Sequence, residues 1–174
     1  ITTTCGFLSL IQEELAQRLE VPVATSSLMQ VAPVQTMLAP GRRVGIVTFS
    51  AEALSPEHLE AAGAPGDTPI AGMPRDGVFS DVIMNGRTRF DLAVLEGEVV
   101  SAGQRLLERH AEVGAVVVEC ANMPPYSAAL QRALGLPVYD AYSFMTWFHA
   151  GLRPRSFAAP ADGVARSVAV EVED

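Results

Sequence analysis

The chain has 174 residues, 49% of them apolar, enough to bury the core of one ordinary domain or two small ones. Its formal charge of -8, with no basic run and no aromatic-interleaved basic stripe, argues against nucleic acid as a partner. The longest apolar runs, such as Gly114 to Val118, are strand-sized and none is long enough to cross a bilayer as a helix, so no membrane association is expected. Two cysteines are too few for a disulfide scaffold and read as free thiols of a cytoplasmic protein. Ile1-Thr2-Thr3-Thr4 is neither a charged leader nor a signal peptide. The chain starts as if inside a strand, which leads us to expect an upstream segment.

In chain order, Leu8, Ile11, Leu15 and Leu19 recur at helical spacing, with Gln12, Glu13, Glu14, Gln17 and Arg18 on the other face. Val21 to Thr25 reads as a short buried strand with Pro22 near its start. Ser26 and Ser27 are candidate caps of a helix running through Leu38, before Pro40-Gly41. Arg43 to Phe49 is the next strand, and Ser55-Pro56 opens a helix with a cap residue followed by proline at the first turn. Pro69 to Met73 is a weaker strand, followed by an irregular stretch from Pro74 to about Arg89. Leu92, Leu95, Val99, Ala102 and Leu106 form a helical stripe up to His110. Ala115 to Glu119 is a strand leading into Cys120, and Pro124-Pro125 starts a helix that Gly135 closes. Leu136 to Tyr139 is a strand, and Ser143 is expected to cap a last helix that ends at Gly151.

Strand and helix therefore alternate, and the strands are continuous apolar runs, as expected of parallel strands covered on both faces. The class is α/β. Residues 41-152 supply a complete small doubly wound unit, residues 1-40 supply half of an equivalent one, and 153-174 form a tail without clear period. Half a unit would leave a sheet edge and apolar helix faces open, so a longer native chain or a homo-oligomer is expected.

Within this pattern lies a repeat. Cys5, Leu15, Leu19, Pro22 and Val23 recur at one constant offset as Cys120, Leu130, Leu134, Pro137 and Val138. Each thiol falls at the carboxyl end of a strand, just ahead of a helix, where ligands bind in open parallel sheets. The backbone N–H groups of the following turn favour thiolate there, and are expected to lower the thiol pKa from about 8.5 and to form an anion site beside it. A single strand-end cysteine is as well explained as a small buried hydrophobe, but two at equivalent places favour paired function. Thr25, Ser26 and Thr48 put hydroxyls at the same edge, as anchors for a small carboxylate-bearing substrate or as local backbone bonds; Ser27 and Ser143 read mainly as caps.

The residues around Cys120 now carry a family resemblance. Val117-Val118-Glu119-Cys120-Ala121-Asn122-Met123-Pro124-Pro125-Tyr126, with Gly135 to Asp140 downstream, resembles the second cysteine motif of the aspartate/glutamate racemase superfamily. Ile1-Thr2-Thr3-Thr4-Cys5-Gly6-Phe7-Leu8 resembles the first motif of its less characterised members, and Val44 to Thr48 is similar to the strand opening their second domain. The resemblance implies two similar doubly wound domains with pseudo-twofold symmetry, the first incomplete here, and an active site between them without cofactor or metal. It implies that Cys5 and Cys120 are an acid/base pair on opposite faces of the substrate Cα. Backbone N–H groups near Gly6, Phe7, Ala121 and Asn122 would stabilise the developing enediolate. Glutamate racemases usually follow the first cysteine with Asn-Thr and the second with Thr-His; Gly6-Phe7 and Ala121-Asn122 stand here instead, which weakens the case for glutamate itself. Amino acids, hydantoins and related small acids are the substrate class implied, with cis–trans isomerisation, decarboxylation or simple carboxylate binding as alternatives within the same fold.

Other polar residues point less clearly to chemistry. His58 and His149 have no partner at metal-ligand spacing and read as surface or capping residues. Arg75, Arg87 and Arg89 sit in the irregular stretch, as a solvated loop or as a lid bringing a cation to a carboxylate. Phe144, Trp147 and Phe148 are expected in the core.

Overall fold

The computed structural model describes residues 1-157. Its centre is a four-stranded, all-parallel sheet of β1 (Arg43–Thr48), β2 (Ile70–Gly72), β3 (Val113–Val118) and β4 (Val138–Tyr139), in the order β2-β1-β3-β4. The helices are α1 (Gln12–Arg18), α2 (Val31–Met37), α3 (Pro56–Ala61), α4 (Val78–Met84), α5 (Leu92–Arg109), α6 (Ser127–Leu134) and α7 (Ala141–Leu152). Tight 3-10 turns at Gly6–Ile11, Ser27–Gln30 and Pro124–Tyr126 precede α1, α2 and α6. The α/β class read from the apolar runs is the class observed, because β1 and β3 are buried along nearly their whole length.

Side chains alternate across the sheet and seed two cores. On one face Val47, Val116 and Val118 pack with Phe79, Val82, Leu95, Val99, Leu106 and Leu130. On the other, Val44, Ile46, Ala115 and Val117 pack with Leu28, Val31, Val34, Leu54 and Leu59. Residues 1-40 thus contribute the Leu28 to Val34 segment to one layer of this sheet. Leu106 shows why the α5 stripe matters: it is 1% exposed, and a Cβ built on Gly45 would lie 2.7 Å from its Cδ2. Helix and strand meet there without room for a methyl group. Leu106→Ala is expected to cost about 2–5 kcal/mol in a urea denaturation measurement, since so close a contact leaves a cavity that the rigid strand cannot collapse into.

Several elements differ from their sequence expectation. The stripe of the first helix is not core: Leu8 and Ile11 are 37% and 38% exposed, and α1 buries no residue. Periodicity marks an apolar face without saying what covers it. The strand expected at 21–25 is reduced to one parallel bridge, Thr2 with Ala24. The stretch from Pro74 to Arg89, expected to be irregular, contains α4, whose first N–H groups are capped from elsewhere. Glu98 of α5 accepts from Val78 N and Phe79 N, each at 2.8 Å. A cap supplied by a carboxylate twenty residues away leaves no local signature.

The last helix also starts and ends differently. Its N-cap is Asp140, whose carboxylate accepts from Ser143 N at 2.8 Å, while Asp140 N donates to Ser143 Oγ at 2.9 Å. This is a capping box, with Ser143 as its third helical residue rather than the cap. The helix continues through Gly151, which lacks the left-handed conformation of a terminating glycine; Gly135 has it, with φ of 64°, and closes α6 as expected. Phe144 is buried, but Trp147 is 69% exposed and so is not core. Among the described residues no helix is long and apolar enough to cross a membrane.

Candidate functional site

The repeat seen in the sequence is also a repeat of hydrogen bonds. Leu8 N donates to Cys5 O at 3.1 Å and Met123 N to Cys120 O at 3.0 Å, so each cysteine opens the same turn. The Ile1 nitrogen donates to Pro22 O at 2.8 Å, as Val116 N does to Pro137 O at 2.9 Å. The Thr2–Ala24 bridge likewise corresponds to the Val117–Tyr139 pair of β3 and β4. Each thiol therefore stands at the carboxyl end of a strand-like segment, where the helix-bearing half of its unit begins.

The two thiols have different surroundings. Cys5 is exposed, whereas Cys120 is 9% exposed; neither is in a disulfide. The expectation of a lowered thiol pKa does not hold at Cys120. Burial pushes it above the ordinary thiol value, more than the backbone N–H of Asn122 pulls it down, and the negative charge of Glu119 pushes it further up. The Asn122 side-chain amide, with Nδ2 3.8 Å from Sγ, favours thiolate, and a charge on Cys5 opposes it.

Glu119, which sequence reasoning passed over, lies at the centre of the site. It continues the apolar run of β3 by one residue and is only 2% exposed. Its Oε2 accepts from Thr48 Oγ1 at 2.6 Å, and the backbone N–H groups of Phe49 and Gly6 also face the carboxylate and favour its charged form. Burial outweighs these donors and raises its pKa above the usual glutamate value. One signal was available: a single acidic residue ending an otherwise apolar strand, next to a cysteine at the ligand edge.

The other residues singled out from the sequence have these places. Gly6 is buried against Glu119; Phe7 is half-buried and packs edge-on against the His58 ring, with centroids 5.2 Å apart. Thr25 is fully buried, and its hydroxyl donates to Gln12 Oε1 at 2.8 Å. Ser26 is buried and caps the Ser27–Gln30 turn, accepting from Leu28 N at 3.1 Å. Ser27 is not the cap: its hydroxyl donates to Val118 O at 2.9 Å and fastens the turn to the end of β3. Thr48, 0% exposed, serves Glu119, while Ala121 is half-buried and Asn122 exposed beside Cys120.

His58 caps α3, accepting from Ser55 N at 3.2 Å. Arg75 pairs with Glu52, and Arg87 with Asp81 at 3.0 Å, so these two cations of the expected loop have surface partners. Among the described residues, no cluster of three or more His, Cys, Asp or Glu side chains could hold a metal ion.

Comparison with known proteins matches residues 4-148 to the family model described as Asp/Glu/hydantoin racemase. A dimethylsulfoniopropionate lyase of Durusdinium sp. clade D is 27% identical over 157 residues, covering 87% of this chain and 52% of that protein. An allantoin racemase of Pseudomonas fluorescens superposes with a TM-score of 0.57 at 16% identity, over 91% of this chain and 65% of its own. An arylmalonate decarboxylase superposes with a TM-score of 0.52 at 20% identity, over 90% and 65%. The chain spans about half the length of the curated lyase and 65% of each of the two solved structures.

Proposed function

Since the chain belongs to the Asp/Glu/hydantoin racemase family, we propose that it moves a proton at the carbon next to a carboxylate or amide carbonyl of a small molecule, with Cys5 and Cys120 as the acid/base pair and no cofactor. The observation that carries this reading is the placement of both thiols at the same turn of a repeated unit. In a racemase or epimerase, one thiolate takes the Cα proton and becomes a thiol, leaving an enediolate. The other thiol gives its proton to the opposite face and becomes the thiolate. Each turnover exchanges one proton for another and inverts the carbon.

The N–H groups of Phe7 and Ala121 are the donors we assign to the developing oxyanion, because the Gly6 N–H faces Glu119 and the Asn122 N–H faces the Cys120 thiol. Thr25, Ser26 and Thr48 are buried with their hydroxyls bonded to Gln12, Leu28 N and Glu119, and in this scheme they support the site from within.

A second reading draws on the unlike environments of the thiols and on the lyase and decarboxylase relatives. A single thiol suffices when the reaction runs one way. In an elimination, a thiolate takes the α-proton and a leaving group on the next carbon departs with its bonding electrons. After a decarboxylation, a thiol delivers a proton to the resulting carbanion.

Proton NMR in D2O tests both. The panel is amino acids, hydantoins, small dicarboxylates and a β-sulfonium carboxylate. Deuterium entering the α-carbon with loss of optical purity is expected for the first reading, and release of an unsaturated acid or of carbon dioxide for the second. A panel with no uptake and no product would reject both.

A further inference from the structure

We propose that Glu119 is a positioning residue: its buried carboxylate fastens the turn that carries Cys5 to the strand end that carries Cys120, and so makes the two thiols chemically unequal. This rests on the reading of the thiols as proton-transfer groups.

Three separate segments converge on this side chain. Thr48 Oγ1 and the Phe49 N–H come from the end of β1, the Gly6 N–H comes from the residue after Cys5, and Glu119 itself precedes Cys120. Thr48 Oγ1 donates to the carboxylate at 2.6 Å, and the Phe49 and Gly6 N–H groups favour its charged form. The backbone of Glu119 is held as well, its N–H donating to Val47 O at 2.9 Å. The carboxylate also packs directly against Gly6. A Cβ on Gly6 would lie 2.0 Å from Oε1 and 2.6 Å from both Cδ and Cγ, so the carboxylate occupies the space that a side chain after Cys5 would need.

The repeat makes this residue an exception. Cys5 and Cys120 correspond, Gly6 corresponds to Ala121, and the position matching Glu119 is Thr4, which is exposed. The acid therefore stands beside one thiol of a near-symmetric pair. The groups facing Cys120 are Glu119 at its own strand end, Asn122 in the following turn and Cys5 from the first unit. Those facing Glu119 are Thr48, Phe49 and Gly6; among the described residues no arginine or histidine is paired with it. With Glu119 ionised, its charge adds to burial in favouring the protonated form of Cys120.

The test separates the charge from the tether. Glu119→Gln keeps size and an acceptor for Thr48 but removes the charge; Glu119→Asp keeps the charge and withdraws it from Gly6. Iodoacetamide labelling of Cys120, read site by site by mass spectrometry across pH, is expected to move to lower pH in Glu119→Gln and to stay near the parent profile in Glu119→Asp. On whichever panel substrate the parent protein turns over, Glu119→Asp is expected to lose at least about tenfold in kcat with little change in KM. Cys120 profiles that coincide for parent and Glu119→Gln, or full kcat in Glu119→Asp, would overturn the proposal. Labelling needs no substrate, so a parent protein inactive on the whole panel would sink the proposed function and still leave the influence of Glu119 on Cys120 decided. Circular dichroism melting of each variant shows that the fold persists.

Discussion

Cys5→Ser and Cys120→Ser are each expected to lower racemisation by about 10²–10⁴-fold or more, as the loss of a positioned general acid or base does. A serine hydroxyl is far too weak an acid to carry the thiolate's role near neutral pH, while it nearly preserves the shape of the site. The scheme makes a finer demand than inactivity. In a two-base site, inversion needs both thiols, but removing the proton of one enantiomer needs only the thiolate facing it. Cys120→Ser should therefore retain deuterium exchange on one enantiomer without inverting it, and Cys5→Ser should lose that exchange. Chiral chromatography alongside NMR reads the two separately. If racemisation survives either change, the two-base scheme is wrong. If a product forms in one variant at the parent rate and in the other not at all, the one-thiol lyase or decarboxylase reading takes its place.

The second large effect is expected at Gly6, where Gly6→Ala should reduce turnover by about 10²-fold or more. The added methyl would meet Glu119 Oε1, Cδ and Cγ, all inside normal contact distance. Swinging Glu119 aside would break its bond to Thr48 within a buried site, so the turn bearing Cys5 is expected to move instead. Displacement of a reacting group by about 1 Å is enough for a loss of that size. Gly97→Ala is the control: nothing lies within 4 Å of its Cβ position, and it sits inside α5. There, alanine is expected to leave turnover unchanged and to stabilise the fold by about 0.5–1 kcal/mol in a denaturant titration. Equal turnover in Gly6→Ala and the parent would show that the Cys5 turn tolerates displacement.

Much of the site was legible because it is written locally. A cysteine just ahead of a turn, with a proline at constant offset after it, needs no partner to be recognised. The repeat in hydrogen bonding then follows from the repeat in residues. The α/β class, the Ser55-Pro56 helix start and the Gly135 stop were legible for the same reason, since each depends on backbone chemistry within a few residues.

What the chain order could not decide was how segments far apart in sequence meet. Glu98 caps α4 from another helix, which hid that helix from any local reading. Glu119 was passed over as the end of a strand, and only the convergence of β1 and the Cys5 turn makes it a buried acid bonded to Thr48. The same convergence overturned the expected lowering at Cys120. Proximity to a turn's N–H groups follows from sequence position, but desolvation depends on everything that packs around the thiol. The sequence by itself therefore determined which residues carry thiols and at which turns. The tertiary structure decided that the two thiols differ, because burial and the charge of Glu119 act through space on one of them.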